Sequence, residues 1–230
     1  MKRLPRVLAV PGGGSSVHDY YPELAELLVG RAELFEADPP ELDVAAGRQW
    51  LKPPDHARFL AGAVRRDGDD PVVVVGHSLG ALVALRLALD HRELVAGLLL
   101  LDPSPPIFGL LLPRPLLWLA GMLRRLVRRS SRRPVPPPRA LSFATRVRWY
   151  MSATFPLAAD LTVTDLGGIP TVVVSAGEHQ RDSLFGRSHA RLTDTIPGAR
   201  LEVWSDTTHG LHAERPHDVA AGALALLEAA

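Results

Sequence analysis

Short apolar runs alternate with segments of helical periodicity along most of the chain. Six of these runs lack the polar alternation of a half-exposed strand, and they predict buried strands of a parallel sheet covered on both faces. The predicted strands are Arg6–Val10, Ala32–Ala37, Val72–Val75, Leu94–Leu101, Thr171–Ser175 and Leu201–Trp204. Apolar residues at helical spacing predict five helices, at Tyr20–Val29, Asp55–Arg66, Leu79–Leu89, Leu116–Val127 and Pro216–Glu228. This alternation favours the α/β class, with a mostly parallel sheet of about six strands flanked by helices.

One stretch, from about Ile107 to Phe155, interrupts the alternation. It contains the predicted helix Leu116–Val127 and a proline-rich run, Pro134–Pro138, that must be extended or looped. Its position between two strands predicts a helical cap over the C-terminal edge of the sheet, where ligands bind in open α/β sheets. We therefore expect residues 1–106 and 156–230 to form the core and residues 107–155 to form a cap or lid insertion.

The amino-acid composition and the lengths of the apolar stretches limit the possible chemistry and the expected cellular location of the protein. The 230 residues include no Cys, which excludes disulfides, thiolate metal sites and a Cys nucleophile. The longest apolar stretch, Ile107–Met122, is interrupted by Pro113, Arg114 and Pro115, so no transmembrane segment is predicted. The first residues lack the long apolar run of a signal peptide, and we expect a cytoplasmic protein.

The net charge of +1 conceals one strongly basic segment. Between Pro105 and Ala159 there are ten Arg and neither Asp nor Glu, which leaves −9 for the rest of the chain. One interpretation is a lid helix whose apolar stripe covers a pocket and whose basic end is solvated. The other is contact with an anionic partner, such as a membrane surface, an acidic carrier protein or a phosphorylated substrate. Nucleic acid is not predicted, because no recognised binding motif accompanies the arginines.

Aromatic residues of the basic segment favour a hydrophobic pocket. They predict a small-molecule substrate that carries an apolar acyl group or a ring. The candidate pocket residues are Phe108, Trp118, Phe143, Trp149 and Tyr150.

The most informative motif is Gly76-His77-Ser78-Leu79-Gly80, which lies between a four-valine strand and an apolar helix. The glycines remove Cβ atoms where strand and helix crowd together, and the turn holds Ser78 at the helix N-terminus, where negative charge is favoured. With this context the chain resembles the α/β-hydrolase fold over nearly its whole length, with some resemblance to thioesterase-type members. The two strands that usually lead that fold are missing from the predicted set. The resemblance implies that Ser78 is a catalytic nucleophile.

Two further motifs are similar to those of the same family. Pro11-Gly12-Gly13-Gly14 stands where the family has a His-Gly-x loop, and this match implies an oxyanion hole formed by the backbone N–H groups of Gly13 and Leu79. The segment from Thr208 to Pro216 is similar to Gly-His-x-x-x-x-Glu-x-Pro, with Thr208 in place of Gly, and implies that His209 is the catalytic base. His77 is interpreted as a packing residue of the turn, and His212 as a helix-surface or pocket-lining residue.

The carboxylate that would orient His209 is not fixed by one motif. Most relatives place it after the strand Thr171–Ser175 in a Gly-x-x-Asp pattern, but here Gln180 occupies that position and cannot carry a charge. Asp182 and Glu178 lie nearby and are candidates. Asp102, directly after Leu94–Leu101, is our first choice, because some haloalkane dehalogenases and the thioesterase domains of polyketide and nonribosomal peptide synthetases carry their acid there. Asp182 is the second choice.

The resemblance implies a serine hydrolase that cleaves an ester, thioester or lactone through an acyl-enzyme and needs no cofactor. Other functions stay open on the same fold: a non-hydrolytic biosynthetic cyclase or acyl-transfer catalyst, a perhydrolase using the same triad, and a ligand-binding receptor. No metal is expected from the sequence, because the histidines fit no standard ligand spacing. The histidines considered are His179, His189, His209 and His212.

Overall fold

A six-stranded, all-parallel sheet forms the centre of the fold. The computed structural model describes residues 3–12, 16–38, 53–68, 70–104, 113–128, 156–179 and 182–230. The strands are β1 (Arg6–Val10), β2 (Glu33–Phe35), β3 (Val72–His77), β4 (Val95–Leu101), β5 (Thr171–Ala176) and β6 (Arg200–Trp204). Their order across the sheet is β2-β1-β3-β4-β5-β6, and every neighbouring pair is parallel. The predicted α/β class and the positions of all six predicted strands are confirmed. The predicted burial is wrong for the two edge strands: β6 is mostly exposed and β2 is only partly buried, because each has a neighbouring strand on one side only.

Helices cover the sheet on both faces. They are α1 (Val17–Tyr20), α2 (Leu24–Leu28), α3 (Pro53–Arg66), α4 (Leu79–Asp90), α5 (Arg114–Arg128), α6 (residues 156–163), α7 (Leu184–Thr195), α8 (Leu211–Glu214) and α9 (Pro216–Ala229). None of the helices within the described ranges is long and apolar enough to cross a membrane.

The continuous apolar runs follow from a core on each side of the sheet. Val72 and Val74 pack in the cluster that includes α3 and α4, whereas Val73 and Val75 pack in the cluster that includes α2 and α9. Successive side chains of a strand point to opposite faces, so a strand buried on both faces needs apolar residues at every position. All four valines are fully buried.

Two parts of the helical prediction are wrong. The single predicted helix Tyr20–Val29 is two short helices, α1 and α2, because Pro22 disfavours helical geometry at Tyr21, whose φ and ψ are −125° and 60°. Helix α7 has no counterpart in the prediction. Its buried residues include Ser188 and His189 together with Leu192, so apolar periodicity does not reveal it.

The predicted cap falls mostly outside the described residues, and its role as a cap stays a prediction. Within it, α5 matches the predicted helix Leu116–Val127. Helix α5 buries Leu117 and approaches α6 at Gly121, where an added Cβ would clash with the carbonyl of Ala159. Large apolar side chains on the opposite side of the helix are 37–54% exposed.

Candidate active site

Ser78 occupies a strained turn between β3 and α4. Its φ and ψ are 53° and −114°, a region that non-glycine residues rarely adopt. A Cβ on Gly76 would lie 2.7 Å from the carbonyl oxygen of Gly80, and a Cβ on Gly80 would overlap the carbonyl oxygen of Val10. Both glycines of the Gly-x-Ser-x-Gly motif are therefore required by close backbone contacts. The Ser78 N–H donates to the carbonyl of Leu101 at 2.9 Å, which fixes the turn against β4.

Three predicted site residues meet at the C-terminal edge of the sheet. The Oγ of Ser78 lies 3.0 Å from Nε2 of His209, and Nδ1 of His209 lies 2.5 Å from Oδ2 of Asp102. Because a carboxylate only accepts, Nδ1 of His209 donates to Asp102 and Nε2 is free to accept the hydroxyl proton of Ser78. This arrangement is a Ser–His–Asp hydrogen-bonded chain in which Ser78 can be deprotonated by His209.

Among the three candidate carboxylates, Asp102 is the one in contact with the imidazole of His209. Asp102 is fully buried at the end of β4, has a φ of 40°, and accepts the backbone N–H of Ala176 through Oδ1 at 2.9 Å. Glu178 instead accepts the backbone N–H of His209 at 2.7 Å, so it fixes the main chain of the base. Asp182 is exposed. Gln180 lies outside the described residues.

The loop that carries His209 is held by the glutamate of its motif. Glu214 accepts the backbone N–H of Thr208 at 2.8 Å and also the hydroxyl of Thr208. The Thr that replaces the family's Gly therefore adds a hydrogen bond to the same glutamate. These contacts restrain the residue directly before His209.

A half-buried tyrosine and His77 also restrain the main chain of His209. The carbonyl of His209 accepts from Nε2 of His77 at 2.7 Å, so Nδ1 of His77 must accept the hydroxyl of Tyr20, 2.6 Å away. Burial, followed by the charges of His212 and His209, lowers the pKa of His77 to about 3, so the ring is neutral. The ring of His212 stacks on Tyr20 at 4.2 Å. Sequence reasoning missed Tyr20.

Asp102 has a second histidine, which sequence reasoning did not assign to the site. Nε2 of His179 lies 3.0 Å from the same Oδ2 that contacts His209, and its ring stacks on Phe185 at 4.4 Å. A signal was available: His179 sits in the loop after β5 where relatives carry the acid. Both ring nitrogens of His189 have hydrogen-bond partners other than Asp102: Nε2 donates to the carbonyl of Pro103 and Nδ1 accepts from Ser175, both at 2.9 Å.

The charges of the site favour an ionised acid and a basic histidine. Burial alone would raise the pKa of Asp102, but hydrogen bonds from His209 and the Ala176 N–H, with the nearby imidazoles, bring it below its ordinary value. The hydrogen bond to Asp102 raises the pKa of His209 against the opposing effect of burial. A carboxylate paired with a more basic imidazole is the electrostatic arrangement that activates a serine hydroxyl.

The other predicted site residues are only partly described. Leu79 is the first residue of α4, so its backbone N–H is at a helix N-terminus next to Ser78. Ser104, not predicted, places its Oγ 3.0 Å from Oγ of Ser78. Trp118 on α5 is 52% exposed. Gly13, Phe108, Phe143, Trp149 and Tyr150 lie outside the described residues.

Comparison with known proteins shows the family of the chain. A family model described as "Alpha/beta hydrolase family" matches residues 7–222. Lipase LipV of Mycobacterium tuberculosis (strain ATCC 25618 / H37Rv) is 41% identical over 80 residues, which cover 30% of this chain and 31% of the lipase. The match thus spans about a third of the lipase's length.

Solved structures resemble the whole chain at low sequence identity. Rv0554 from Mycobacterium tuberculosis superposes with a TM-score of 0.66 at 16% identity, covering 100% of this chain and 92% of that chain. The meta-cleavage product hydrolase CumD from Pseudomonas fluorescens IP01 superposes with a TM-score of 0.61 at 16% identity, covering 99% and 92%. At this identity the likeness shows a shared fold.

Proposed function

The chain belongs to the alpha/beta hydrolase family, and from this premise we propose that it is a serine hydrolase in which Ser78, His209 and Asp102 form the catalytic triad. The observation that carries the proposal is the unbroken hydrogen-bonded chain from Ser78 Oγ through His209 to Asp102, with lengths of 3.0 and 2.5 Å. The pairing of nucleophile, base and orienting acid is the feature by which such triads are recognised on unrelated folds.

The proposed reaction proceeds through an acyl-enzyme. The Oγ of Ser78 attacks the substrate carbonyl while Nε2 of His209 takes the hydroxyl proton. The resulting imidazolium, stabilised by Asp102, then gives that proton to the leaving alcohol or thiol. A water molecule, deprotonated by His209, attacks the acyl group; the carbonyl re-forms, Ser78 regains its proton and a carboxylic acid leaves.

We assign the oxyanion hole of this reaction to the backbone N–H groups of Leu79 and Gly13. The position of Leu79 at the start of α4 supports its part, because free N–H groups and the helix dipole favour negative charge there. Removing one oxyanion donor costs about 10²–10³-fold in kcat in other serine hydrolases.

For the substrate we propose a carboxylic ester or thioester with an apolar acyl chain. The name lipase on the partly matching relative supports an ester. The exposed apolar side of α5 supports an apolar acyl group. The arginines that follow in the sequence support an anionic partner or headgroup beside it. Lactones and acyl transfer use the same first step and are included in the substrate panel below.

The first test is covalent labelling with a fluorophosphonate, read by intact mass and peptide mapping. We expect a single adduct on Ser78 that is lost in Ser78→Ala. Asp102→Asn should slow labelling about 10³–10⁴-fold, the cost of losing the acid of a triad. The matched control Asp182→Asn, at the exposed carboxylate, should label at the wild-type rate.

Turnover of ester, thioester and lactone panels then separates the functions. Labelling with steady hydrolysis supports the proposed hydrolase. A folded wild-type protein that stays unlabelled contradicts the triad and favours the receptor. Labelling with acyl transfer to an added alcohol or amine, but without hydrolysis, favours the acyl-transfer catalyst. Equal slowing by the two Asp→Asn variants would contradict the assignment of Asp102.

A further inference from the structure

Two imidazole nitrogens converge on one buried carboxylate oxygen. Nδ1 of His209 lies 2.5 Å and Nε2 of His179 lies 3.0 Å from Oδ2 of Asp102. Within the described ranges, these three residues form a cluster whose ligand atoms all lie within 4.8 Å of one another. The sequence spacing does not predict this group, because the loop after β5, the end of β4 and the loop after β6 meet only in the fold.

The proposed triad uses one of these histidines and leaves the other unexplained. Serine hydrolysis needs a single imidazole on the acid, and His209 supplies it. Nε2 of His179 is a second nitrogen beside the same oxygen, and the His179 ring is held by stacking on Phe185 at 4.4 Å. The carboxylate is itself fixed, since Oδ1 of Asp102 accepts the Ala176 N–H at 2.9 Å. His179 and Asp102 are thus held in place by contacts that do not involve substrate.

We propose that Asp102, His179 and His209 bind a Zn²⁺ ion, and that the bound ion switches the proposed hydrolase off. Two imidazoles and one carboxylate are a donor set that Zn²⁺ uses in proteins, with the fourth position open to water. The ion can be reached from solvent, because the side chains of His209 and His179 are 44% and 15% exposed.

Small movements suffice to admit the ion. Zn²⁺ bonds of about 2.0–2.1 Å in tetrahedral geometry separate neighbouring ligand atoms by roughly 3.3 Å. The distances from Oδ2 would grow from 2.5 Å for Nδ1 of His209 and from 3.0 Å for Nε2 of His179, shifts of under about 1 Å. The two nitrogens lie within 4.8 Å of each other and would approach by up to about 1.5 Å. Both histidines lie in loops that follow strands, so their side chains can shift. Asp102 can keep its position.

Inhibition follows from the proton positions. Each neutral imidazole that binds Zn²⁺ carries its proton on the other nitrogen, so His209 bound through Nδ1 is protonated at Nε2. That Nε2–H donates to Oγ of Ser78, 3.0 Å away, and cannot accept its proton. The ion also occupies the carboxylate that stabilises the imidazolium. Metal binding does not depend on the triad being active, but the inhibition rests on the proposed function.

Direct binding is tested by calorimetric titration of the full chain with ZnCl₂. Ser78→Ala keeps all three ligands, so it should bind one equivalent, as wild type does. His179→Phe preserves the stacking surface but removes a ligand, and should weaken binding at least about tenfold. His209→Ala, made in the Ser78→Ala background, should weaken it similarly. His217→Gln, at an exposed histidine of α9, is the matched control and should bind like wild type. Binding that survives both ligand substitutions, or no saturable binding, overturns the site.

The second arm measures ester hydrolysis with increasing ZnCl₂ and its recovery on chelation with EDTA. We expect the half-inhibitory Zn²⁺ concentration, taken relative to each variant's own rate, to rise at least about tenfold in His179→Phe and to stay unchanged in His217→Gln. Zn²⁺ binding without any hydrolysis would keep the metal site and reject the proposed function. Hydrolysis that is insensitive to Zn²⁺ would keep the function and reject the switch.

Discussion

At the scale of single residues, the site depends on contacts that restrain the main chain around His209. The carbonyl of His209 accepts from His77 at 2.7 Å, and its N–H donates to Glu178 at 2.7 Å. Both peptide groups that flank His209 are therefore hydrogen-bonded to side chains, one at the end of β3 and one in the loop after β5. In the proposed reaction, these contacts would keep the imidazole of His209 aligned between Ser78 and Asp102, which lowers the entropic cost of reaching the reactive geometry.

Tyr20→Phe tests this restraint. The hydroxyl of Tyr20 donates to Nδ1 of His77 at 2.6 Å, and its removal leaves a buried acceptor without a donor. We expect the free energy of unfolding to fall by about 1–3 kcal/mol in urea titration. We also expect kcat for an ester to fall while KM changes little, because the base, and not the substrate contacts, is loosened.

The adjacent tyrosine provides the matched control for that variant. The buried hydroxyl of Tyr21 has no hydrogen-bond partner among the described residues. Tyr21→Phe removes a buried hydroxyl that makes no hydrogen bond with the described residues, so the unfolding free energy should stay the same or rise, and kcat should stay close to wild type. Equal losses in the two variants would show that the Tyr20–His77 contact has no specific part in positioning His209.

At the scale of elements, the site is an outcome of parallel strands ending at one edge. Ser78 follows β3, Asp102 follows β4, Glu178 and His179 follow β5, and His209 follows β6. Parallel strands place all their carboxyl ends together, so four consecutive neighbours in the sheet contribute to one cluster. The sheet order β3-β4-β5-β6 thus decides which loops can exchange hydrogen bonds.

Sequence patterns could predict part of this site and not the rest. Ser78 and His209 are predictable because each stands in a short sequence motif. The spacing within each motif reflects a contact near the residue itself: the close approach of Gly80 to the backbone of Val10, and the hydrogen bond from Thr208 to Glu214. Asp102 was the preferred acid on resemblance, but its contact with His209 spans 107 positions of the sequence and needs the sheet to be seen. His179 and Tyr20 carry no motif, since their roles come from loops that meet only in three dimensions.

Helix α5 presents one large apolar side to solvent and buries the other. Leu119 and Leu123 are 49% and 54% exposed, whereas Leu117 is 1% exposed. Exposed apolar faces of this size usually bind something, and here we expect the acyl chain of the proposed substrate. The same helix therefore offers two kinds of leucine, one for binding and one for folding.

Replacing both exposed leucines, Leu119→Gln with Leu123→Gln, should separate these roles. We expect the free energy of unfolding to change by less than about 0.5 kcal/mol, as is usual for substitutions at surface positions. KM for a long-chain p-nitrophenyl ester should rise several-fold, while that for the acetate stays unchanged. Leu117→Ala is the comparison and should cost about 2–5 kcal/mol of stability. Identical KM values for both esters in the double variant would reject α5 as an acyl-binding surface.

At the scale of the whole molecule, polar groups buried within the two cores tie distant segments together. Arg86 on α4 forms an ion pair of 2.6 Å with Asp160 on α6, and both side chains are almost fully buried. Arg6 on β1 is also buried and contacts Asp67, directly after the end of α3, at 2.7 Å. Arg86 also pairs with Asp90 on its own helix, and Asp67 also pairs with Arg3, so each buried arginine belongs to a small charge network that joins separate segments.

Burial of a neutral histidine makes the fold sensitive to acid. His56 on α3 is 8% exposed, and burial lowers its pKa from 6.5 to about 4. Below pH 6.5 the unfolded chain binds a proton at His56, whereas the folded chain binds it only near pH 4. The contribution of His56 to the free energy of unfolding is therefore complete above pH 6.5 and is lost as the pH falls from 6.5 to about 4. The loss amounts to about 3 kcal/mol when the window has been crossed.

His56→Leu should remove this contribution. We expect the difference between unfolding free energies at pH 7 and pH 4, measured by urea titration, to shrink by about 3 kcal/mol relative to wild type. The exposed His18→Leu is the control and should retain the wild-type difference. An unchanged pH dependence in His56→Leu would show that His56 titrates alike in both states.

The separation of 131 residues between Ser78 and His209 has a consequence for the chain during its synthesis. A growing polypeptide carries the nucleophile and then Asp102 well before the base has been translated. At ribosomal speeds of about 5–20 residues per second, this interval lasts roughly 7–26 s. The proposed chemistry is therefore silent in the nascent chain, and it begins only when β6 has joined the sheet and delivered His209.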